Sequence, residues 1–179
     1  MASREKTLLV FGPAGAGKAT TMGCLLFKYG GIDMLTMERF QKEGIRLYDQ
    51  AARDLKSRAV QPSFHTPNFH VVVSDGSSKV DCVLLVIAVD STHVDAGKEL
   101  AAAAGQAEHI IVLINKMDNV SWSEEAFQKT KQSLGPTAES IPIVPFSALK
   151  GDNAVELSSN SSWYKGPTLL AALEASFCP

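Results

Sequence analysis

Short apolar runs alternate along this chain with longer stretches of helical periodicity. The runs are rich in Val, Ile and Leu and occupy residues 7–11, 69–73, 82–89, 110–114 and 141–146. Uninterrupted apolar runs of this length are typical of strands buried on both faces, as in a parallel sheet covered by helices. The pattern therefore predicts five strands of one sheet.

The segments between these runs predict helices over residues 17–28, 36–56, 123–134 and 167–177, with a further helical run at 101–104. The longest of them carries one apolar stripe, formed by Met37, Phe40, Leu47, Ala51 and Leu55. Strand–helix alternation of this kind predicts a doubly wound α/β domain whose ligands bind beyond the carboxyl ends of the strands. No repeat or linker interrupts the pattern, so we expect a single domain over residues 1–179.

The first apolar run leads directly into a glycine-rich segment that opens the first predicted helix. This segment consists of Gly12, Pro13, Ala14, Gly15, Ala16, Gly17 and Lys18. In a strand–loop–helix setting, backbone N–H groups surround phosphates while the lysine reaches the terminal ones. The alternative is an ordinary glycine-rich turn, because the G-x4-G-K pattern arises by chance in roughly one chain in twenty of this length. The setting favours a phosphate-binding P-loop, which Ala19 and Thr20 continue into the helix.

A second motif, Asn115-Lys116-Met117-Asp118, follows the fourth apolar run and predicts which base is bound. A carboxylate at Asp118 can accept hydrogen bonds from N1–H and the exocyclic amine of guanine. Adenine lacks both donors on that edge, so it would leave the carboxylate unpaired at a cost of about 1–3 kcal/mol. We expect Asn115 to tie this loop to the P-loop and the stem of Lys116 to cover the base.

A third motif, Ser147-Ala148-Leu149, follows the last apolar run, where a backbone N–H could meet the guanine O6. Each motif alone has an ordinary loop as its alternative reading. Because the three motifs occur in this order and each follows a predicted strand, they predict a guanine nucleotide, GTP or GDP, as the ligand.

Composition and charge exclude several other classes of protein. Hydrophobic residues make up 45 % and charged residues 20 % of the 179 residues, which is ordinary for a globular protein with a core. The net charge of −2 comes without a Lys/Arg cluster, which argues against direct nucleic-acid or membrane binding. Cys24, Cys82 and Cys178 are widely spaced and lack a CxxC pattern, so we expect reduced thiols in a cytoplasmic protein.

Taken together, these motifs resemble the G domain of the translational GTPases, most closely eukaryotic elongation factor 1-alpha and its relatives in termination and ribosome rescue. The resemblance covers nearly the whole chain and includes Gly151-Asp152-Asn153. The groups specific to this branch of the GTPases are Tyr29-Gly30-Gly31-Ile32-Asp33 and Trp163-Tyr164-Lys165-Gly166. It implies a six-stranded mixed sheet flanked by helices. It also implies Mg²⁺-dependent GTP hydrolysis coupled to delivery of tRNA or a tRNA-like factor to the ribosome.

The chain departs from that family where the metal would be bound. Ala19 stands where the P-loop motif has a Ser or Thr that binds Mg²⁺ directly, and a methyl group cannot coordinate a cation. Thr20 is rotated by about 100° around the helix and is a poor substitute. The threonine that the family uses as a second ligand aligns with Gln61. We expect at most a weak Mg²⁺ site, with Asp75 acting through water.

The next family motif, D-x-x-G followed by His, corresponds to residues 75–79. Asp75 is retained, but the Gly that senses the γ-phosphate is Ser78, and the His that positions water is Lys79. Phosphoryl transfer relies on positioning and electrostatic stabilisation, so these losses predict weak or absent hydrolysis. Two alternatives stay open, a slow but genuine GTPase and a pseudo-GTPase module that recruits a partner.

The connection between the second and third apolar runs is too short for the helix that the family has there. Either it is stretched over the sheet, or the run at 69–73 pairs differently. In both cases one face of the sheet would lose the helix that covers it. We therefore expect an exposed apolar patch beside Val71, Val73 and Val83 that could bind a protein partner. The two β-barrel domains of the family are not expected here, so elongation itself is not assigned to this polypeptide alone.

Overall fold

The computed structural model describes residues 4–45, 47–91 and 93–178, and its centre is a six-stranded sheet in the order β2-β3-β1-β4-β5-β6. All neighbouring strands are parallel except β2, which runs antiparallel to β3 at one edge. The strands are β1 (Arg4–Phe11), β2 (Ser63–His65), β3 (Phe69–Val73), β4 (Val80–Ala88), β5 (Ala107–Asn115) and β6 (Ile143–Pro145). The doubly wound α/β fold is confirmed, and β2 is a strand that the apolar pattern missed.

Six helices flank the sheet. They are α1 (Lys18–Lys28), α2 (Met34–Glu43), α3 (Tyr48–Ser57), α4 (Ala96–Ala104), α5 (Glu124–Ser133) and α6 (Leu169–Phe177). Among the described residues, none of these helices is long and apolar enough to cross a membrane. The single helix expected over residues 36–56 is wrong, because α2 and α3 occupy this part of the chain instead.

Gly44 explains the break between α2 and α3. It adopts a left-handed conformation with φ 71°, and the N–H groups of Gly44 and Ile45 bond to the carbonyls of Gln41 and Phe40. This is the usual arrangement that ends a helix at a glycine. Phe40 is buried, but Leu47, which was expected on the same stripe, is 49 % exposed.

The two faces of the sheet build two separate cores. On one face, Leu8 of β1 and Leu84 of β4 pack with residues of α1, α3 and α6. On the other, Val83 and Leu85 of β4 pack with residues of α4 and α5. Burial on both faces is what a central parallel strand requires, which is why the sequence of β4 is continuously apolar.

The β3–β4 connection is stretched over the sheet, which is the first of the two expected arrangements. Residues 74–79 cross β1, because Leu8 lies in register beside both Val73 and Cys82. The N–H of Ser74 donates to the Leu8 carbonyl at 2.8 Å. Farther along the connection, a Cβ atom placed on Gly76 would lie 3.6 Å from Cδ1 of Leu9. The connection itself therefore covers β1 where the family has a helix.

The expected apolar patch is absent at the residues for which it was predicted. Val71, Val73 and Val83 are 0 %, 3 % and 0 % exposed, so the prediction of an exposed patch beside them is wrong. The sheet face by the short connection instead carries polar groups, because Asp81 Oδ2 accepts from the N–H and the hydroxyl of Thr7 at 2.8 and 2.7 Å. A protein partner at this face stays a prediction.

Replacing Ala59 with Gly is expected to stabilise the protein by about 0.5–1 kcal/mol. Ala59 has φ 54°, and its N–H and that of Val60 bond to the carbonyls of Lys56 and Leu55, the same arrangement that Gly44 forms at the end of α2. A side chain in this left-handed conformation is strained, and glycine removes that strain. Chemical denaturation would measure the gain.

Gly44→Ala is the matched control for this prediction, since a Cβ on Gly44 would meet nothing within 4 Å. It is expected to destabilise the protein by a similar amount. If Ala59→Gly and the unmodified chain are equally stable, the left-handed conformation of Ala59 is not strained.

Candidate nucleotide-binding site

The glycine-rich segment folds as a tight loop between the end of β1 and the first turn of α1. Gly12, Gly15 and Gly17 all have positive φ angles, of 143°, 79° and 97°. Gly12 also has no room for a side chain, since a Cβ there would lie 2.2 Å from the carbonyl oxygen of Val86. The glycines thus let the backbone turn sharply just before the helix N-terminus, where an anion is favoured.

Lys18, the first residue of α1, bends back over this loop. Its Nζ donates to the carbonyl oxygens of Gly12 at 2.6 Å and of Pro13 at 2.8 Å. An ammonium group held at the mouth of a phosphate loop is placed to neutralise the charge of a bound phosphate. Ala14 and Gly15, at the tip of the loop, are exposed.

Asn115 joins the three predicted motifs into one unit. Its Nδ2 donates to the Ala16 carbonyl at 2.8 Å, and its Oδ1 accepts from the N–H of Ala148 at 2.9 Å. The side chain is 2 % exposed, so both bonds are made in the interior, where an unpaired amide would be costly. The contact expected between Asn115 and the P-loop is formed, and it also fixes the loop after β6.

Asp118 lies in a short 3-10 turn, Met117–Val120, directly after β5. Ser147, which is fully buried, donates its hydroxyl to Asp118 Oδ1 at 2.7 Å. This bond fixes the carboxylate and leaves Oδ2 available as an acceptor. Lys116, which precedes the turn, has φ 65°.

A cavity of about 210 Å³ opens beside this carboxylate. Residues from all three motifs line it, together with Thr20 of α1: Gly17, Thr20, Asn115, Lys116, Asp118, Asn119, Ala148 and Leu149. Leu149 is 53 % exposed and forms part of the rim. The cavity offers polar groups at one end and the stem of a lysine and a leucine as walls, which suits a flat heterocycle with hydrogen-bond donors on one edge.

The residues that stand at the positions of the family's metal ligands form hydrogen bonds with other residues of this protein. Gln61 donates its Nε2 to the Val73 carbonyl at 2.6 Å. Asp75 accepts from the N–H of Ser77 at 2.9 Å, and bonds from the Ser77 hydroxyl and N–H lower the pKa of this exposed carboxyl. Ala19 is exposed and contributes only a methyl group, so these residues do not form a donor set that fits Mg²⁺.

Other expected residues do not gather at the phosphate end. Ser78 and Lys79 are exposed in the connection that crosses β1. Thr20, which was expected at the phosphate loop, lines the cavity next to Asp118 together with Gly17 of that loop. Among the residues that the structure describes, no group of three or more His, Cys, Asp or Glu side chains could hold a metal ion.

Two features of the site were not predicted from the sequence. Asn119 lines the base cavity, and its place directly after Asp118 was the signal that could have indicated it. A second cavity has Val10, Met22 and Asp75 in its wall. Its residues are far apart in the chain and follow no pattern, so only the fold reveals it.

A glycine-rich loop after β1, a cavity at the carboxyl ends of β5 and β6 and this sheet order match the fold of a P-loop G domain. The family model of the elongation factor Tu GTP binding domain matches residues 65–176. The chain therefore belongs to the family of elongation factor Tu GTP-binding domains.

Curated relatives include elongation factor 1-alpha of Coccidioides immitis, which is 33 % identical over 212 aligned positions covering 93 % of this chain and 46 % of the relative. Elongation factor 1-alpha of Entamoeba histolytica is 30 % identical, with coverage of 96 % and 49 %. The chain thus spans about half the length of the curated relatives that it matches. The 212 aligned positions exceed the 179 residues of the chain, so the relative has segments that this chain lacks.

Solved structures with the same fold include Sup35 complexed with GDP, with a TM-score of 0.73 at 26 % identity over 97 % of this chain and 45 % of Sup35. Sup35 complexed with GMPPNP gives a TM-score of 0.70 at 25 % identity, with the same coverage of each chain. The Ski7 GTPase-like domain of S. cerevisiae bound to GTP gives 0.71 at 19 % identity, over 99 % of this chain and 51 % of that one, which shows the fold alone.

Proposed function

We propose that this protein binds GDP and GTP through the P-loop and the Asp118 cavity, and that it hydrolyses GTP weakly or not at all. The proposal rests on one contrast within the site. The residues expected to bind the base are braced by Asn115, whereas the positions of the metal ligands at the phosphate half are replaced or bonded elsewhere. Family membership supports the nucleotide class.

In the base half, Asp118 Oδ2 would accept from guanine, while Ser147 holds Oδ1. The N–H of Ala148 is already bonded to Asn115, so the O6 of guanine would have to be met by another N–H of the same loop. Leu149 at the rim and the stem of Lys116 would cover the ring faces. Asp118 and Asn115 are held by hydrogen bonds before the ligand arrives, which lowers the ordering cost of binding.

In the phosphate half, the P-loop N–H groups and Lys18 are the binding groups. Hydrolysis needs a positioned water and stabilisation of charge that develops around the γ-phosphate. Asp75 is in a turn with Ser77, Gln61 is bonded to Val73, and Lys79 lies in the crossing connection. We therefore expect little catalysis and little dependence of binding on Mg²⁺.

A place in translation is part of the proposal only through the relatives, which are elongation factors 1-alpha. The chain spans about half of their length, so the proposal concerns only what this G domain contributes to ribosome or factor binding. Co-sedimentation of the purified chain with ribosomes in the presence of GDP or GTP would test this point.

Isothermal titration with GDP, GTP and ATP, each with and without Mg²⁺, tests the proposed function. We expect binding of GDP and GTP, no binding of ATP, and less than about threefold change on adding Mg²⁺. A phosphate-release assay in the same buffer should show no turnover above the rate without protein. A large Mg²⁺ enhancement together with phosphate release would instead identify a slow GTPase, and absence of all binding would leave an interaction module.

Replacing Ala19 with Ser is expected to create a Mg²⁺ response that the unmodified chain lacks. The new hydroxyl would supply one direct oxygen ligand, so we expect GTP affinity to rise a few-fold on adding Mg²⁺. Ala14→Ser, at the exposed loop tip, is the control that adds a hydroxyl away from this position. If the GTP affinity of both variants is independent of Mg²⁺, the absence of a hydroxyl group at residue 19 does not explain the missing Mg²⁺ response.

A further inference from the structure

The loop that carries Asp118 contains backbone strain that the proposed function leaves unexplained. Lys116, before the turn, has φ 65°, and Ser121 and Trp122, after it, have φ 50° and 57°. Residues with a side chain adopt this left-handed conformation rarely, and a bulky residue does so least of all. Such strain persists where surrounding contacts enforce it, and it is concentrated at functional sites. The contacts that hold Ser121 and Trp122 therefore indicate what keeps Asp118 in place.

Both polar groups of the Trp122 backbone are hydrogen-bonded to other parts of the protein. Its N–H donates to the carbonyl of Met117, the residue before Asp118, at 2.9 Å. Its carbonyl oxygen accepts from the indole Nε1 of Trp163 at 2.9 Å. The N–H of Ser121 also closes the turn, by donating to the carbonyl of Asp118 at 3.3 Å. Trp163 is thus connected through Trp122 to the peptide group that precedes Asp118.

Trp163 is itself held by packing and by the chain around it. Its ring packs on that of Phe127 of α5, with the ring centroids 5.1 Å apart. The next residue, Tyr164, donates its N–H to the Ser161 carbonyl at 2.8 Å and its hydroxyl to the carbonyl of Ile143 in β6 at 3.2 Å. An indole fixed against both α5 and β6 can hold a neighbouring loop in a strained conformation.

Loss of the indole N–H would affect the whole turn. Trp122 is 9 % exposed and its bond to Trp163 is partly buried, so water would replace the indole poorly. Rotation of the Trp122 backbone out of the left-handed region would also break the bond from its N–H to Met117. The carboxylate of Asp118 would then be held by Ser147, while the backbone that carries it could shift.

On the basis of the proposed function, we propose that Trp163 is a positioning residue for guanine. Its indole N–H holds Ser121 and Trp122 in the left-handed conformation and so keeps Asp118 directed at the base. Trp163 is not among the described residues that line the base cavity, so its effect passes through the loop and not through contact with the nucleotide.

The ratio of the affinities for GDP and inosine diphosphate measures this role. Hypoxanthine keeps the N1–H of guanine but lacks the exocyclic amine, so the ratio reports the second bond to Asp118. Titration calorimetry gives both affinities and reports the fraction of folded protein separately, as the stoichiometry. Trp163→Phe keeps an aromatic ring without the N–H. We expect it to weaken GDP about tenfold and inosine diphosphate about twofold, so that the ratio falls about fivefold.

Tyr164→Phe is the matched control, because it removes hydrogen bonds from the same aromatic cluster but none from the Asp118 loop. It should leave the ratio within about twofold of that of the unmodified chain. Adding Ser121→Gly to Trp163→Phe is a test of rescue, because glycine adopts the left-handed conformation without strain. The double variant should regain GDP affinity to within about threefold of the unmodified chain.

The outcomes separate this role from the proposed function. An unchanged ratio in Trp163→Phe, an equal fall in Tyr164→Phe, or a loss that Ser121→Gly does not restore would overturn the positioning role while the guanine-nucleotide function stands. If Trp163→Phe does not fold, benzothienylalanine at residue 163 keeps the shape of the ring and removes the N–H, and the same fall is expected of it. If the unmodified chain does not bind GDP, the proposed function fails and the positioning role fails with it.

Discussion

Gly12→Ala is expected to destabilise the protein by about 3–5 kcal/mol. The added Cβ would lie 2.2 Å from the carbonyl oxygen of Val86, which belongs to the central strand β4 and cannot move aside without breaking the sheet. Overpacking against backbone costs about 1–3 kcal/mol, and strain at φ 143° adds a similar amount. Chemical denaturation of the two proteins would measure the difference.

Gly15→Ala is the matched control, because it changes the same loop in the same way. Gly15 has φ 79°, but a Cβ there would meet nothing within 4 Å. Only the backbone strain of about 1–2 kcal/mol is expected. If the two variants lose equal stability, close packing of the P-loop on β4 does not contribute, and the strand–loop junction must be looser than the structure indicates.

Asp118→Asn is expected to cause the largest change in ligand choice. The amide would present a donor to the N1–H or amine of guanine, so one favourable bond becomes a clash of donors, and GDP affinity should fall by about 100-fold or more. Xanthine has a carbonyl where guanine has the amine, so its nucleotide should gain affinity from the same amide. Competition between GDP and xanthosine diphosphate would measure this reversal.

Asp152→Asn provides a control for the loss of a negative charge in the neighbouring loop, where Asp152 accepts from the hydroxyl of Ser158. It should leave the preference for GDP unchanged. Retention of guanine preference in Asp118→Asn would place the base somewhere other than the cavity of about 210 Å³.

The parts of the site that sequence predicts well are those that one short segment encodes. The P-loop follows from glycines at fixed spacing after a strand, and their positive φ angles at Gly12, Gly15 and Gly17 are what that spacing requires. The role of Asn115 followed from its place at a strand end, and the structure adds that the bond to Ala148 makes it a bridge between two loops.

Features that depend on distant residues, or on the backbone conformation of a single residue, were predicted less well. Residues 36–56 have a continuous apolar stripe, but Gly44 ends the helix because its left-handed conformation satisfies the last carbonyls, a local effect that the periodicity does not register. The burial of Val71 and Val73 could not be read from β3 alone, because it depends on residues of other elements that pack on the same face. Likewise, the polar pair of Thr7 and Asp81 is visible only once β1 and β4 are neighbours.

The direct passage of residues 74–79 over β1 also bears on communication within the molecule. The chain leaves β3 bonded to Leu8 and enters β4 at Val80, whose N–H is bonded to Gln106, so this passage is anchored at both ends. Residues 75–77 of this passage form a hydrogen-bonded turn, and the passage contains no helix that could reorder when the phosphate end of a nucleotide changes. We therefore expect this part of the surface to keep one shape in the GDP-bound and GTP-bound protein, so that a partner contacting it would detect the ligand and not the number of its phosphates.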